Sequence, residues 1–314
     1  TYRTTDVPER LATFLGRVAR AEPTRIYLGG LSLGDTATVA GAVTGGEVDP
    51  ADARLVHRRS GGNPFFVREL ARVLAAGGDL ASVPAGVRDV VRYRLAGLSD
   101  HVQEVLRHAA VLGEDVDLAL LPGDGVLDAL EAAAARGFLV EVGTGRFRFA
   151  HALVRDTLYQ DLSRSRRARW HAAVAEALER SRPGDVEALA HHLLQAEDPA
   201  TARYARAAAE QAERRFAPHQ AVRWWRAALD HSAEAPRERL TLVMGLVRAL
   251  AVSGALAEAR RHRAEALDLA EAIGDPELTA RVITAFDVPA SWTESDDPEL
   301  ARRIVEVTER TLAA

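Results

Sequence analysis

Residues 146–159 read RFRFAHALVRDTLY. The stretch closes a β-ribbon on a histidine and then enters a helix, which places the imidazole of His151 at a helix N-terminus. The partner strand is predicted at 138–142, ahead of a strand at 146–150, with Gly143, Thr144 and Gly145 as the turn between them. On the N-terminal side come a helix from about residue 99 to 112, a short helix near Leu118 and a helix over 126–135. Three helices closed by a β-ribbon make a winged helix, and that sets the fold of the middle of the chain.

Further upstream, RIYLG at 25–29 reads as a short strand. Ser32 and Asp35 then stand at capping-box spacing before a helix rich in Ala and Val. Pro50 and Asp52 open a helix to about residue 57, and Asn63 and Pro64 supply the N-cap and first position of another that runs to about residue 76. Residues 1–80 thus read as one strand plus a small helical lid. Gly77, Gly78 and Pro84 mark a boundary, after which Val87, Val90, Val91 and Leu95 recur at helical spacing. Beyond residue 163 the chain is nearly all Ala, Leu, Arg and Glu helix, broken at Pro183, Pro199, Pro218, Pro236 and Gly254. Small residues recur in the second helices of these hairpins: Ala221, Trp225 and Ala228 in one, Gly254, Ala259 and Ala266 in the next. That spacing is similar to tetratricopeptide repeats, although the Trp and Tyr signature of a strict repeat is incomplete. The predicted class is mostly α, with domains at 1–80, 84–162 and 163–314.

Composition removes whole classes of chemistry from these 314 residues. All forty basic residues are Arg and none is Lys, so the chain supplies no P-loop lysine, kinase lysine or Schiff base. It has no Cys, hence no disulfide, thiolate nucleophile or cysteine zinc site. The net charge of -5 argues against a general polyanion-binding surface. No apolar run approaches the roughly 20 residues that span a bilayer, and no signal-peptide core is present; the expected location is the cytoplasm. The first residue is Thr, and the chain is expected to be part of something longer.

Each candidate residue has a purely structural reading beside a functional one. His151 could satisfy itself on a carbonyl or water at the helix start. Gly62, Asn63 and Pro64 are fully explained as cap plus first-turn proline. Gly30 to Gly34 spells G-x-S-x-G after a strand, the nucleophile-elbow pattern, but Ser32 is also a good helix cap and only one strand precedes it. The helix at 126–135 offers Asp128 and Glu131 with no outward Arg, Asn or Gln, so it would repel phosphates and read no bases. The Arg164, Arg166, Arg167 and Arg169 cluster reads as a solvated face, with an acidic partner second. His191 and His192 diverge by about 100° on a helix and cannot share a metal.

In chain order, Thr1-Tyr2-Arg3, GGNPFFVREL at 61–70 and AHALVRD at 150–156 resemble the later nucleotide-sensing parts of the signal-transduction ATPases with numerous domains. The resemblance implies that Arg3 is a first-sensor residue reading the γ-phosphate, that Gly62 and Pro64 belong to a Gly-x-Pro element packing beside adenine, and that His151 donates to the β-phosphate of ADP. Ala150 and Ala152 replace the Met and Asp of the family's Met-His-Asp motif. Residues 1–80 would then be the end of an ATPase domain whose phosphate-binding half lies outside this chain. The ATP or ADP site would be completed by the parent protein, with no metal held here and no catalysis by this chain alone. The whole chain, including FDVPASWTESDDPELA at 286–301, resembles the large ATP-binding transcriptional regulators of the LuxR type and antibiotic-pathway regulators of actinobacteria. The resemblance implies a nucleotide-dependent switch whose helical repeats bind a protein or small-molecule inducer, without nucleic acid or membrane contact, and which could oligomerise with ATP. Trp225 is expected in the core of the array, and Trp224, one position round the helix, on its partner-binding face.

Overall fold

The computed structural model describes residues 9–19, 28–232, 235–284 and 298–313. Among them sixteen α-helices stand against three short strands, which makes the class mostly α. The chain divides into two compact units, residues 1–170 and 171–314. The strand expected at 25–29 falls largely outside the described residues; its last two, Leu28 and Gly29, are not in a strand.

In the first unit, α1 (Glu9–Val18) is followed by α2 (Leu33–Thr44), α3 (Pro50–Ser60) and α4 (Pro64–Ala75). Their starts follow local chemistry. The Ser32 hydroxyl accepts from the Asp35 N–H at 3.2 Å and donates to the Asp35 carboxylate at 2.7 Å. Asp49 accepts from Ala51 N–H at 2.6 Å ahead of Pro50, and Asn63 accepts from the N–H groups of Phe65 and Phe66 ahead of Pro64. Each cap satisfies donors that a helix start leaves orphaned.

Next come α5 (Ala85–Leu95), α6 (Asp100–Leu112), β1 (Asp115–Asp117), a 3-10 turn at Leu118–Leu120, α7 (Val126–Ala135), β2 (Leu139–Gly143), β3 (Arg146–Phe149) and α8 (Ala152–Gln160). The strands form an antiparallel sheet in the order β1-β3-β2. The first strand is absent from the sequence reading, because a three-residue Asp-Val-Asp segment carries little strand preference. Its register explains it: Asp115 lies opposite Arg148 and Asp117 opposite Arg146, and both pairs are ion pairs, at 2.6 and 3.5 Å. Opposite charges directly across a ladder stabilise it. The apolar core runs from Val56, Phe66 and Leu70 through Val87 and Val91 to Leu106, Leu130, Phe138, Phe147, Leu153 and Leu158, continuing across residue 84.

The division between units falls within α9 (Arg164–Ser181). The second unit continues with α10 (Val186–Ala196), α11 (Thr201–Arg214), α12 (Pro218–Asp230), α13 (Pro236–Val252), α14 (Leu256–Ile273), α15 (Pro276–Thr284) and α16 (Pro298–Ala313). From α10 onward each helix packs on the next. Trp225 is the wedge between α12 and α13. Its indole N–H donates to Glu213 at 2.9 Å, and its ring lies where a Cβ on Gly245 would stand, 2.5 Å away. Glycine inside a helix lowers its stability by about 1 kcal/mol relative to Ala; here close approach of the indole requires it.

Candidate functional site

The loop that ends α3 and starts α4 is built from Gly61, Gly62, Asn63 and Pro64. Gly61 and Gly62 both have positive φ, +57° and +72°. A side chain at Gly62 would also collide with the Leu31 backbone, 2.5 Å from its oxygen, since Leu31 N–H donates to the Gly62 carbonyl at 2.7 Å. The segment before α2 is thereby laid along the Gly-Gly turn. Pro64 is exposed at the first turn of α4, beside the half-exposed Phe65.

His151 arrives at this loop from ninety residues away. It is the N-cap of α8 in extended conformation, and its side chain caps nothing. The ring instead stands edge-on to Phe66, with centroids 5.2 Å apart, and its Nδ1 lies 3.1 Å from where a Cβ on Gly61 would be. That nitrogen is buried and has no hydrogen-bond partner among the described residues. Buried polar atoms are nearly always paired, and an exception calls for an explanation. Burial holds the His151 pKa below the ordinary histidine value, and the nearby Arg94 charge lowers it further. The neutral ring carries one proton. An unpaired buried acceptor is tolerated better than an unpaired N–H, so the proton belongs on Nε2, which has no partner among the described residues either.

A further ion pair braces this arrangement and was not legible in the sequence. Arg59, near the end of α3, donates to Asp156 of α8 at 2.6 Å and to the Ser82 carbonyl at 3.2 Å. Both side chains are largely shielded from water. Arg155 next to it donates to the Ala110 carbonyl at 2.8 Å and lies over the Tyr159 ring. Nothing in the spacing of residues 59 and 156 announces such a pair.

The structure therefore brings Gly62, Pro64 and His151 into one neighbourhood. Arg3 lies outside the described residues, as do residues 286–297 of the segment FDVPASWTESDDPELA. Among the described residues the sheet is antiparallel and runs from 115 to 149, and no parallel strand surrounds Ser32. Its hydroxyl is engaged with Asp35 as a helix cap.

Trp224 requires correction. It is 1% exposed and cannot present a partner-binding face. The expectation treated α12 as buried on one side, whereas it packs on both α11 and α13. Positions 224 and 225, about 100° apart, therefore both point inward. Arg223 covers the Trp224 ring at 4.6 Å. Of the arginine cluster, Arg167 lies over Tyr159 and Arg166 over Trp170. His192 meets His171 with Nδ1 atoms 2.8 Å apart, one donating and the other accepting.

A cleft of about 580 Å³ lies beside α2 and α3, lined by Leu33, Ala37, Thr38, Val48, Pro50 and Arg54. It adjoins the cap of α2 rather than the His151 ring. No helix of the described residues is long and apolar enough to cross a membrane.

The chain matches no protein-family model and no curated protein. It is similar, at 13% identity over 92% of its length and with a TM-score of 0.31, to the crystal structure of a signal transduction ATPase with numerous domains that has a tetratricopeptide repeat sensor, from Pyrococcus horikoshii. The chain spans about half of that protein, 48%.

Proposed function

We propose that this chain is the sensing and coupling portion of an ATP-binding transcriptional regulator. In this reading residues 1–80 are the end of an ATPase domain, 84–162 a winged helix that closes over nucleotide, and 163–314 a helical array that takes the inducer or partner. The observation that carries it is His151. A histidine at a helix start needs no contact with a distant glycine turn, yet this one lies against Gly61 with one nitrogen enclosed and the other unpartnered. An Nε2–H there suits a phosphate oxygen of ATP or ADP, and the exposed Pro64, which follows the Gly61–Gly62 turn in the same loop, suits the flat face of adenine. Such a charge-assisted bond contributes roughly 1.5 to 3 kcal/mol, enough to bias a domain equilibrium about tenfold or more.

His151 would hold the closed, ADP-bound state, so in the parent protein His151→Ala should lower ADP retention and raise output in the absence of inducer. If both stay at the wild-type level, the nucleotide reading fails. The remaining reading would then be a protein-binding scaffold, for which His151 and Pro64 are both dispensable. A serine hydrolase using Ser32 has nothing in its favour beyond the G-x-S-x-G string, and a fluorophosphonate probe that labelled Ser32 would be needed to revive it.

A further inference from the structure

The turn between α11 and α12 carries a residue that folding alone does not choose. α11 ends by the usual device, a residue in the left-handed region just past the C-cap: Phe216 has φ +55°, its N–H donates to the Glu213 carbonyl at 3.0 Å, and Ala217 N–H returns to Ala212 at 2.9 Å. Glycine fills that position at no steric penalty, and a Cβ-bearing aromatic is strained there. The same array uses glycine at the ends of α13 and α14, Gly254 and Gly274, and a polar residue, Glu197, at the end of α10, so Phe216 is the apolar side chain among its left-handed helix ends. The geometry therefore explains the turn but not the phenylalanine.

Burial does not explain it either, because Phe216 is 92% exposed, the most exposed aromatic ring among the described residues. A strained backbone position that holds an apolar ring out in water is the reverse of what stability selects.

Its neighbours supply the third observation. Arg214 and Arg215 are exposed and make no ion pair among the described residues, and His219 is exposed on the far side of the turn. In the same unit Arg206, Arg226, Arg237, Arg239, Arg248 and Arg303 each meet a carboxylate, while Arg261, Arg281 and Arg302 meet none among the described residues; what sets Arg214 and Arg215 apart is that they stand side by side next to an exposed aromatic ring. The adjoining acid, Glu213, does not neutralise the tip, since it is engaged by Trp225 and Arg248.

We infer that the 214–219 turn is a docking tip for a protein partner, with Phe216 inserting into an apolar pocket whose rim carries carboxylates that meet Arg214 and Arg215. Aromatic and Arg side chains are the residues that dominate protein interfaces when desolvated. A nucleic acid would require a wider basic field than two guanidiniums on a chain of net charge -5, and a membrane would require more apolar surface than a single ring. The inference stands apart from the nucleotide reading and survives its failure.

The test separates recognition from folding because one substitution should move them in opposite directions. Phe216→Gly removes the ring and relieves the backbone, so Tm should hold or rise by roughly 2 °C. The full chain is presented with a library of short random peptides displayed on phage, and the selected peptides are synthesised and titrated by fluorescence anisotropy. The expected result is a set of peptides with Asp or Glu flanking an apolar residue. Their affinity should fall at least about tenfold with Phe216→Gly and likewise with Arg214→Gln plus Arg215→Gln. Selected peptides without acidic bias, affinity indifferent to Phe216→Gly, or no selection at all would overturn the proposal. So would Phe216-dependent binding to phosphatidylserine vesicles or to duplex DNA in place of the peptides.

Discussion

At the scale of single residues, the histidines that the fold keeps neutral give the chain a defined response to acid. Burial depresses the pKa of His151, with Arg94 adding to the effect. It also depresses that of His108, where Arg166 and Arg169 add to the effect and Glu104 opposes it. A depressed folded value means that the unfolded chain takes up the proton first. Each group's contribution is thus complete above the ordinary value of about 6.5, and it is lost as pH falls through the folded value. Urea unfolding of the wild type and of His151→Gln, at about pH 7.5 and about pH 5.5, should show the wild type losing more stability on acidification. Equal losses would mean that the ring is not protected as the structure shows it. The chemistry of this neighbourhood was legible: Gly62 and Pro64 as a helix entry, His151 as a helix start. Their convergence was not, since ninety residues separate Gly61 from His151 and no local pattern encodes that contact. Trp224 failed for a related reason. One residue's angle on a helix predicts exposure only if the number of neighbouring helices is known, and here there are two.

Between elements, the joints can be tested by substitutions whose sign is unusual. Replacing a helical glycine by alanine ordinarily stabilises by about 1 kcal/mol, yet Gly245→Ala should destabilise by about 2 kcal/mol or more, because its methyl would occupy the Trp225 ring position. A thermal melt suffices, and a variant as stable as the wild type would show that α12 and α13 are not packed through that indole. The Arg59 and Asp156 pair can be read by a double-mutant cycle with Arg59→Met and Asp156→Leu. Either single change should be costly, with a coupling of about 1 to 3 kcal/mol, and an additive result would dismiss the brace between α3 and α8. Helix boundaries were the most legible part of the chain, since Ser32, Asn63, Pro64, Ser99, Pro218 and Pro236 announce them by their own hydrogen-bonding or ring chemistry. Strand β1 was illegible because its stability resides in Arg146 and Arg148, thirty residues on.

For the molecule as a whole, we propose on the absence of lysine that the purified chain should turn over no ATP, because phosphoryl transfer needs a cradle and a cation that the P-loop lysine normally supplies. A coupled phosphate-release assay checks this, and turnover above the no-protein background would refute it. The position of the tryptophans has another consequence. Trp224 and Trp225 are adjacent on one packed helix, Trp170 is also shielded from water, and the chain contains only one more. Intrinsic fluorescence should therefore begin at short wavelength and be dominated by a single element of the second unit, while far-ultraviolet circular dichroism averages over all sixteen helices. With two compact units in the chain, the two optical signals need not change together along a denaturant gradient. Emission alone would track the local melting of α12 and its neighbours, so it serves as a built-in spectroscopic reporter of the helical array and a poor gauge of the winged part.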